Sequence, residues 1–151
     1  MNFTREHLFD LAERFLAIKE VGGAVDNPQI MSMLKLDNSW PTNDEVPWCS
    51  AFVNYIAWLA RAPRSKDLRA RSWLEVGRGI DFDDAEPGDV VIITRGIGDQ
   101  PGPDVIDAPG HVGFYAGTFH GFIEILGGNQ SDTVKVSRYP REKLLGVRRL
   151  L

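Results

Sequence analysis

The chain is short of cysteine: Cys49 is the only one in 151 residues. An internal disulfide is excluded, so packing must carry the fold and the thiol is free. It is also short of uninterrupted apolar sequence. No run approaches the roughly 20 residues that span a bilayer. The N-terminal segment is broken by Arg5, Glu6, Asp10, Glu13 and Arg14, which leaves no apolar stretch of the kind a signal peptide needs. The expectation is a protein made in a cytoplasm, without a membrane span. Basic charge is not in excess either: 17 Lys and Arg stand against 21 Asp and Glu. The net charge of −4 offers no basic face and argues against nucleic acid as a partner. No phosphate loop or dinucleotide fingerprint occurs. Asp81, Asp83, Asp84 and Asp89 lack the glycine and closing glutamate of a calcium loop. Cys49, His111 and His120 lack the paired spacing of a zinc site. No metal or cofactor is expected.

What is present is an ordinary globular composition, 43% hydrophobic and 25% charged. The length fits a single domain over residues 1–151, enough to bury roughly 70% of the unfolded surface. Thr4 reads as the cap of a first helix whose apolar stripe is Leu8, Leu11, Ala12, Phe15 and Ile18, with Gly22-Gly23 as its stop. Asn27-Pro28 restarts a short helix with Ile30, Met31 and Leu34 on its buried side. A third helix begins near Cys49; Phe52, Val53, Ile56, Ala57 and Ala60 give it a wide apolar face. A weaker helical pattern covers residues 66–76 and breaks at Gly77 and Gly79.

The second half reads as strands. Glu86-Pro87-Gly88-Asp89 is a turn before the buried strand Val90-Val91-Ile92-Ile93. Residues 96–110 hold four glycines and three prolines and form a long loop, a kind of segment that often serves function. His111–Ala116 and Phe122–Leu126 are strands joined through Gly117–Gly121, and Val134–Val136 and Gly146–Leu150 complete a small antiparallel sheet. Helices first and strands later predict an α+β fold.

Cys49 falls where a polar segment closed by Pro47 turns into the third helix. A helix start offers unpaired N–H groups and the positive end of the dipole, which favour a thiolate and can receive an oxyanion. The plainer reading is a buried small hydrophobe, since free cysteine is among the most buried residue types. A base decides between them. His7 lies on a polar helix face and His120 at a hairpin tip, whereas His111 opens a strand. A third group must orient its ring, and Glu124, Asn129 and Gln130 all lie downstream. Register selects among them. One register sets His111 on a face with Ile123, Ile125, Gly127 and Asn129; a slip by one sets it with Glu124 and Leu126. The slipped register groups Val112 and Phe114 with Ile123 and Ile125 on one apolar face. A bulge at Gly127-Gly128 would then return Asn129 to His111. Asn129 is the favoured third residue, and Glu124 and Gln130 stay open.

The ordered blocks Trp48-Cys49-Ser50-Ala51-Phe52-Val53, Pro87-Gly88-Asp89-Val90-Val91, Gly110-His111-Val112-Gly113-Phe114-Tyr115 and Gly127-Gly128-Asn129-Gln130 resemble those of CHAP amidohydrolases and the related NlpC-type cell-wall peptidases. Small phage-associated CHAP-like proteins resemble the chain most, over about residues 5 to 150. The resemblance implies a papain-like core and hydrolysis of a peptidoglycan amide, with Cys49 as nucleophile, His111 as base and Asn129 as third residue. It implies peptidoglycan as substrate and action at the cell wall. Delivery would then fall to a phage particle, a secretion apparatus or, for a toxin, a system with a neutralising partner. Many such domains carry glutamine before the nucleophile; Trp48 stands here, and Asn43 is a candidate substitute. Trp48 and Tyr115 are candidate walls of the substrate groove, with core packing an equal alternative for Trp48. A non-catalytic wall-binding or phage structural module is the rival reading.

Overall fold

The computed structural model describes residues 3–21, 26–44 and 46–151. Three helices, α1 (Arg5–Glu13), α2 (Pro28–Leu34) and α3 (Cys49–Leu59), precede six strands. The strands are β1 (Arg78–Ile80), β2 (Val90–Thr94), β3 (Gly110–Phe119), β4 (Phe122–Gln130), β5 (Thr133–Pro140) and β6 (Leu144–Arg149). All pair antiparallel in one sheet of order β1-β6-β2-β3-β4-β5. The α+β expectation holds. Among the described residues no helix is long and apolar enough to cross a membrane.

The β2 run Val90–Ile93 is buried throughout because both faces of the sheet are covered. On one face Val90, Ile92, Val112, Phe114, Leu126 and Val134 pack with the helices. On the other, Val91, Ile93, Ile123, Ile125 and Val147 form a second cluster, with Phe82, Tyr115 and Tyr139 packed against it. The slipped register placed Val112 and Phe114 with Ile123 and Ile125, but the structure puts them on opposite faces. Hydrophobicity misdirects register here because both faces are apolar.

The first helix stops at Glu13, before Phe15 and Ile18. Backbone pairing with β5 takes over. The N–H groups of Ala17 and Glu20 donate to Val134 and Asp132 carbonyls at 2.9 Å each, and Val134 donates to Ile18 at 2.7 Å. The expected stop at Gly22-Gly23 lies outside the described residues. The pattern over 66–76 becomes a 3-10 helix, Ala70–Glu75. The edge strand β1 has no apolar alternation and had no sequence signal. The β3–β4 hairpin turns at His120-Gly121, both at positive φ (48° and 82°), as a tight two-residue turn requires. Gly117 lies within β3.

The turn before β2 is held by charge. Asp89 is fully buried and accepts from Arg149 Nε at 2.8 Å and Nη2 at 2.7 Å, and from the Glu86 N–H at 2.9 Å. Gly88 sits at φ 97°, where an added Cβ would lie 2.1 Å from the Arg5 carbonyl oxygen. The pair clamps β2 to β6 and sets where the central strands begin. Removing one partner of a buried pair typically destabilises by about 3 kcal/mol. Asp89→Ala should lower the free energy of unfolding by about that amount, read from the urea midpoint at constant m-value.

Candidate active site

Helix α3 enters the core at its N-terminal end. Trp48, the capping residue, offers no side-chain cap to the first turn. Ser50 anchors this turn instead: its Oγ donates to the Asp67 carbonyl at 2.5 Å and accepts from Trp73 Nε1 at 2.9 Å. Asn54 joins the network through the Ser50 carbonyl and Ser65. These buried bonds hold the helix start, and with it Cys49, against the sheet.

Cys49 meets β3 where β3 and β4 part. Recorded β3–β4 pairing ends at Phe114↔Leu126. The Tyr115 N–H points to β2, bonding the Asp89 carbonyl at 2.8 Å. Alternation therefore aims the Val112 N–H toward β4. Without a ladder partner on β4, it donates to the Cys49 sulfur, which is also hydrogen-bonded to the His111 ring. Cys49 is 3% exposed and His111 6%.

Gln130 holds the other side of His111. The Gln130 Nε2 lies between two carbonyl oxygens, Ile125 at 3.1 Å and Lys135 at 2.5 Å, and must donate to both. Its Oε1 is thereby turned to His111 Nε2, 2.8 Å away, and also accepts from Tyr139 Oη at 2.9 Å. An amide oxygen only accepts, so His111 carries a proton on Nε2. Nδ1 is left to face Cys49. The Tyr139 ring stacks at a tilt on His111, with centroids 5.4 Å apart.

Two bulges produce this arrangement. One between Tyr115 and Gly117 corrects the register set at the hairpin tip, so His111 lies on the face of Ile125 and Gly127. A second, between Gly127 and Gln130, inserts one extra residue in β4, with Asn129 at φ 59°. The expected bulge is there, but it absorbs Asn129 and delivers Gln130 to His111. Glu124 stands away from the ring, paired with Arg138 on β5. The two glycines serve opposite sides. A Cβ on Gly128 would lie 2.6 Å from the Trp48 ring and 2.9 Å from Phe52 Cβ. A Cβ on Gly127 would sit 3.2 Å from Gln130 Oε1.

The other expected site residues lie elsewhere. Trp48 is fully buried against Gly128, so it seals the core and does not wall a groove. Tyr115 packs on Phe82 with ring centroids 6.0 Å apart, on the sheet face away from the helices. Asn43 is exposed, with its Nδ2 3.4 Å from Thr42 Oγ1. Tyr139 was missed by the sequence reading; its signal, an aromatic in a half-exposed strand, is indistinct. Arg71 was missed too. It is fully buried and donates to the carbonyls of Pro109 (2.9 Å), Gly102 (2.8 Å) and Val105 (3.1 Å), tying down the far part of the 95–109 loop.

The electrostatics fit an ion pair. Burial, the largest influence, pushes the Cys49 thiol up. The hydrogen bond and charge of His111, the Val112 N–H and the charge of Arg95 outweigh it, and the thiol lies below its ordinary value. Burial alone would push His111 down. The bond to and charge of Cys49, helped by Gln130, hold it above its ordinary value against the opposing charge of Arg95. Both shifts run toward a thiolate beside an imidazolium, relative to the free groups. Iodoacetamide should therefore alkylate Cys49 at pH 6 faster than a free peptide thiol. His111→Ala should slow it by about tenfold or more, since each unit of pKa restored is a factor of ten in thiolate.

Beneath Trp48 lies a carboxylate. Glu20 Oε2 accepts from Trp48 Nε1 at 3.3 Å. Burial, then a hydrogen bond and charge from Asp132 and charge from Asp44, raise Glu20 from 4.5 to about 7, against the Trp48 bond that lowers it. A carboxyl raised on folding supports the fold while protonated. That contribution is full below about pH 4.5 and lost as pH rises through about 7. Stability should fall over this window. Glu20→Gln, which keeps an acceptor for Trp48, should flatten the fall, as read from urea midpoints at a series of pH values.

No family model and no curated protein matches the chain. Solved structures do. NlpC1 from Trichomonas vaginalis is 20% identical with a TM-score of 0.59; the match covers 97% of this chain and 44% of that one. An NlpC/P60 family protein from Bacillus cereus is 16% identical with a TM-score of 0.60, covering 100% and 41%. The P60 domain of the antigen MAP1204 from M. avium subspecies paratuberculosis is 18% identical with a TM-score of 0.57, covering 96% and 93%. The chain thus spans under half the length of the first two proteins. At these identities the likeness is one of fold: helices on a six-stranded antiparallel sheet, as in papain-like NlpC/P60 domains.

Proposed function

We propose that the chain is a cysteine peptidase that hydrolyses an amide bond in the peptide part of bacterial peptidoglycan. One observation carries the chemistry. The Cys49 sulfur, at the start of α3, is hydrogen-bonded to a histidine whose far nitrogen is fixed by Gln130. The substrate class rests on the resemblance of the Cys49 and His111 blocks to wall hydrolases, and the NlpC/P60 fold supports it.

The Cys49 thiolate attacks the carbonyl carbon. The oxyanion is received at the start of α3, whose first N–H groups have no acceptor within the helix. The C–N bond breaks as His111 gives its Nδ1 proton to the leaving amine, and a thioester remains on Cys49. Water then adds to the thioester and loses a proton to His111. The C–S bond breaks, releasing the acid and restoring the thiolate–imidazolium pair. Gln130, in place of Asn129, is the residue that orients His111. It keeps the Nε2 proton in place through both steps, so Nδ1 is always the nitrogen that gives and takes the mobile proton.

The 3% exposure of Cys49 favours one rival, a wall-binding module of the same fold without turnover. Digestion of purified peptidoglycan, with mass spectrometry of the released fragments, separates the two. Wild type is expected to release peptides with one new carboxyl and one new amine terminus, and Cys49→Ala to release none. Gln130→Ala should lower kcat by about a hundredfold. Asn129→Gly, which suits the positive φ, should leave it near wild type. Equal inactivity of wild type and Cys49→Ala across wall types sinks the peptidase reading.

A further inference from the structure

The net charge of −4 conceals one local excess. Residues 61–71 carry five basic residues, Arg61, Arg64, Lys66, Arg69 and Arg71, against one acid, Asp67. Three of the five are taken. Arg64 pairs with Asp37, Arg69 with Asp67 and Asp107, and Arg71 holds carbonyls of the 95–109 loop. Arg61 and Lys66 are exposed, and among the described residues their side chains make no hydrogen bond or ion pair. Both line one groove of about 640 Å³ at the C-terminal end of α3, together with Trp58, Leu59, Ala62 and Pro63.

Two features of this groove go beyond charge. Trp58 is 48% exposed yet braced: its ring lies at a tilt on Tyr55 with centroids 5.7 Å apart, and Tyr55 meets Phe15 edge-on at 5.8 Å. The indole is a preset platform. The backbone is the second feature. Arg61 and Lys66 stand at φ 56° and 57°, in the left-handed region where glycine costs least. Arg61 follows the last helical turn, where the Ala62 N–H donates to the Ala57 carbonyl at 2.8 Å, and helices commonly place glycine at that position. Folding alone favours glycine; the chain keeps a cation at both places.

We propose that this groove is a binding site for an acidic glycan, with a sugar ring on Trp58 and an acid group held by Arg61 and Lys66. The C–H face of a sugar ring stacks on an indole while its hydroxyls stay in water. The two cations suit a carboxylate or a phosphate on that ring or the next. The groove has the volume of a small-ligand site, roughly 300–1,000 Å³. A protein partner calls for about 800 Å² a side with an apolar centre, which one indole does not supply. A nucleic-acid strand calls for a row of free cations and successive stacking rings. Trp58 lies nine residues past Cys49, about 14 Å along the helix axis, so the groove is separate from the thiol. Its loop is fixed to the helix: the Lys66 N–H donates to Asn54 Oδ1 at 3.0 Å, and Asn54 Nδ2 donates to Ser65 Oγ at 3.2 Å. The site does not depend on turnover and stands whether the chain cuts the wall or only binds it.

Calorimetric titration of the intact chain tests this with oligomers that hold no peptide bond to cut. Chains of alternating N-acetylglucosamine and N-acetylmuramic acid freed of peptide offer rings with carboxylates, and phosphate-linked N-acetylglucosamine offers rings with phosphates. Neutral N-acetylglucosamine chains offer rings alone, and poly(glycerol phosphate) offers charge alone. At least one of the two acidic glycans is expected to bind about tenfold tighter than either single-feature chain, and the tighter of them identifies the acid group. Trp58→Ala should weaken that binding about tenfold. The double variant Arg61→Gly, Lys66→Gly should bring it down to the level of the neutral chain while the urea midpoint stays level or rises, because glycine relieves both backbones. Trp40→Ala, at an indole 61% exposed, and Arg78→Gln, at an exposed arginine on β1, are expected to change nothing. The inference is overturned by no binding of either acidic glycan, by equal binding of the neutral chain or of poly(glycerol phosphate), by unchanged binding in Trp58→Ala or the glycine variant, or by an equal loss in a control.

Discussion

A single buried amide sets the geometry of this site. Gln130 Nε2 is pinned between the Ile125 and Lys135 carbonyls, so its oxygen has one direction to face. That oxygen determines which nitrogen of His111 is protonated, and therefore which nitrogen meets Cys49. Much of the sheet serves this contact. A bulge at Tyr115–Gly117 turns His111 to the right face, and a bulge at Gly127–Gln130 turns Gln130 toward it. The Ser50–Asn54–Trp73 network holds the helix that carries the thiol. Without the amide, the imidazole would be free to choose its tautomer and the thiol would lose a defined partner.

The site also shows how two ionisable groups are supported in an apolar interior. Burial opposes the charge on both Cys49 and His111. Three contacts offset this: that of the Cys49 sulfur with the His111 ring, that of the Val112 N–H with the sulfur, and that of Gln130 with the ring. The Val112 donor exists because the ladder stops. A strand defect thus supplies a polar group that an ideal sheet would have consumed.

Much of this was readable in the sequence, for reasons that can be given residue by residue. Cys49 stood out because an apolar helical run begins at that position, and His111 because it opens a strand. The α+β order followed from where the apolar period changes. The third residue was not readable. Both sheet faces are apolar, so Val112, Phe114, Ile123 and Ile125 could not report register. The bulge at Gly127-Gly128 was foreseen, but which of two adjacent amides it would present depends on one backbone torsion, that of Asn129 at φ 59°. Trp48 resembles a groove aromatic in sequence; only the absence of a Cβ on Gly128 lets its ring pack so close to the sheet there. Arg71 and Arg95 look alike in sequence, and only burial separates the structural cation from the exposed one.

The arginine at the far end of the loop has a wider meaning. Arg71 is buried and held through Nε and Nη1 by carbonyl oxygens, with no carboxylate in the contact and with Nη2 left without a partner among the described residues. Burial lowers its pKa, yet a guanidinium starts so high that it stays charged across any physiological acidity. Carbonyls do not titrate at all. The tie that Arg71 makes on the loop is therefore indifferent to pH, in contrast to Glu20 beneath Trp48 and to the Cys49–His111 pair. At this one anchor shape and ionisation are uncoupled, so the far part of the loop keeps its hold whatever the protonation of the groups around it.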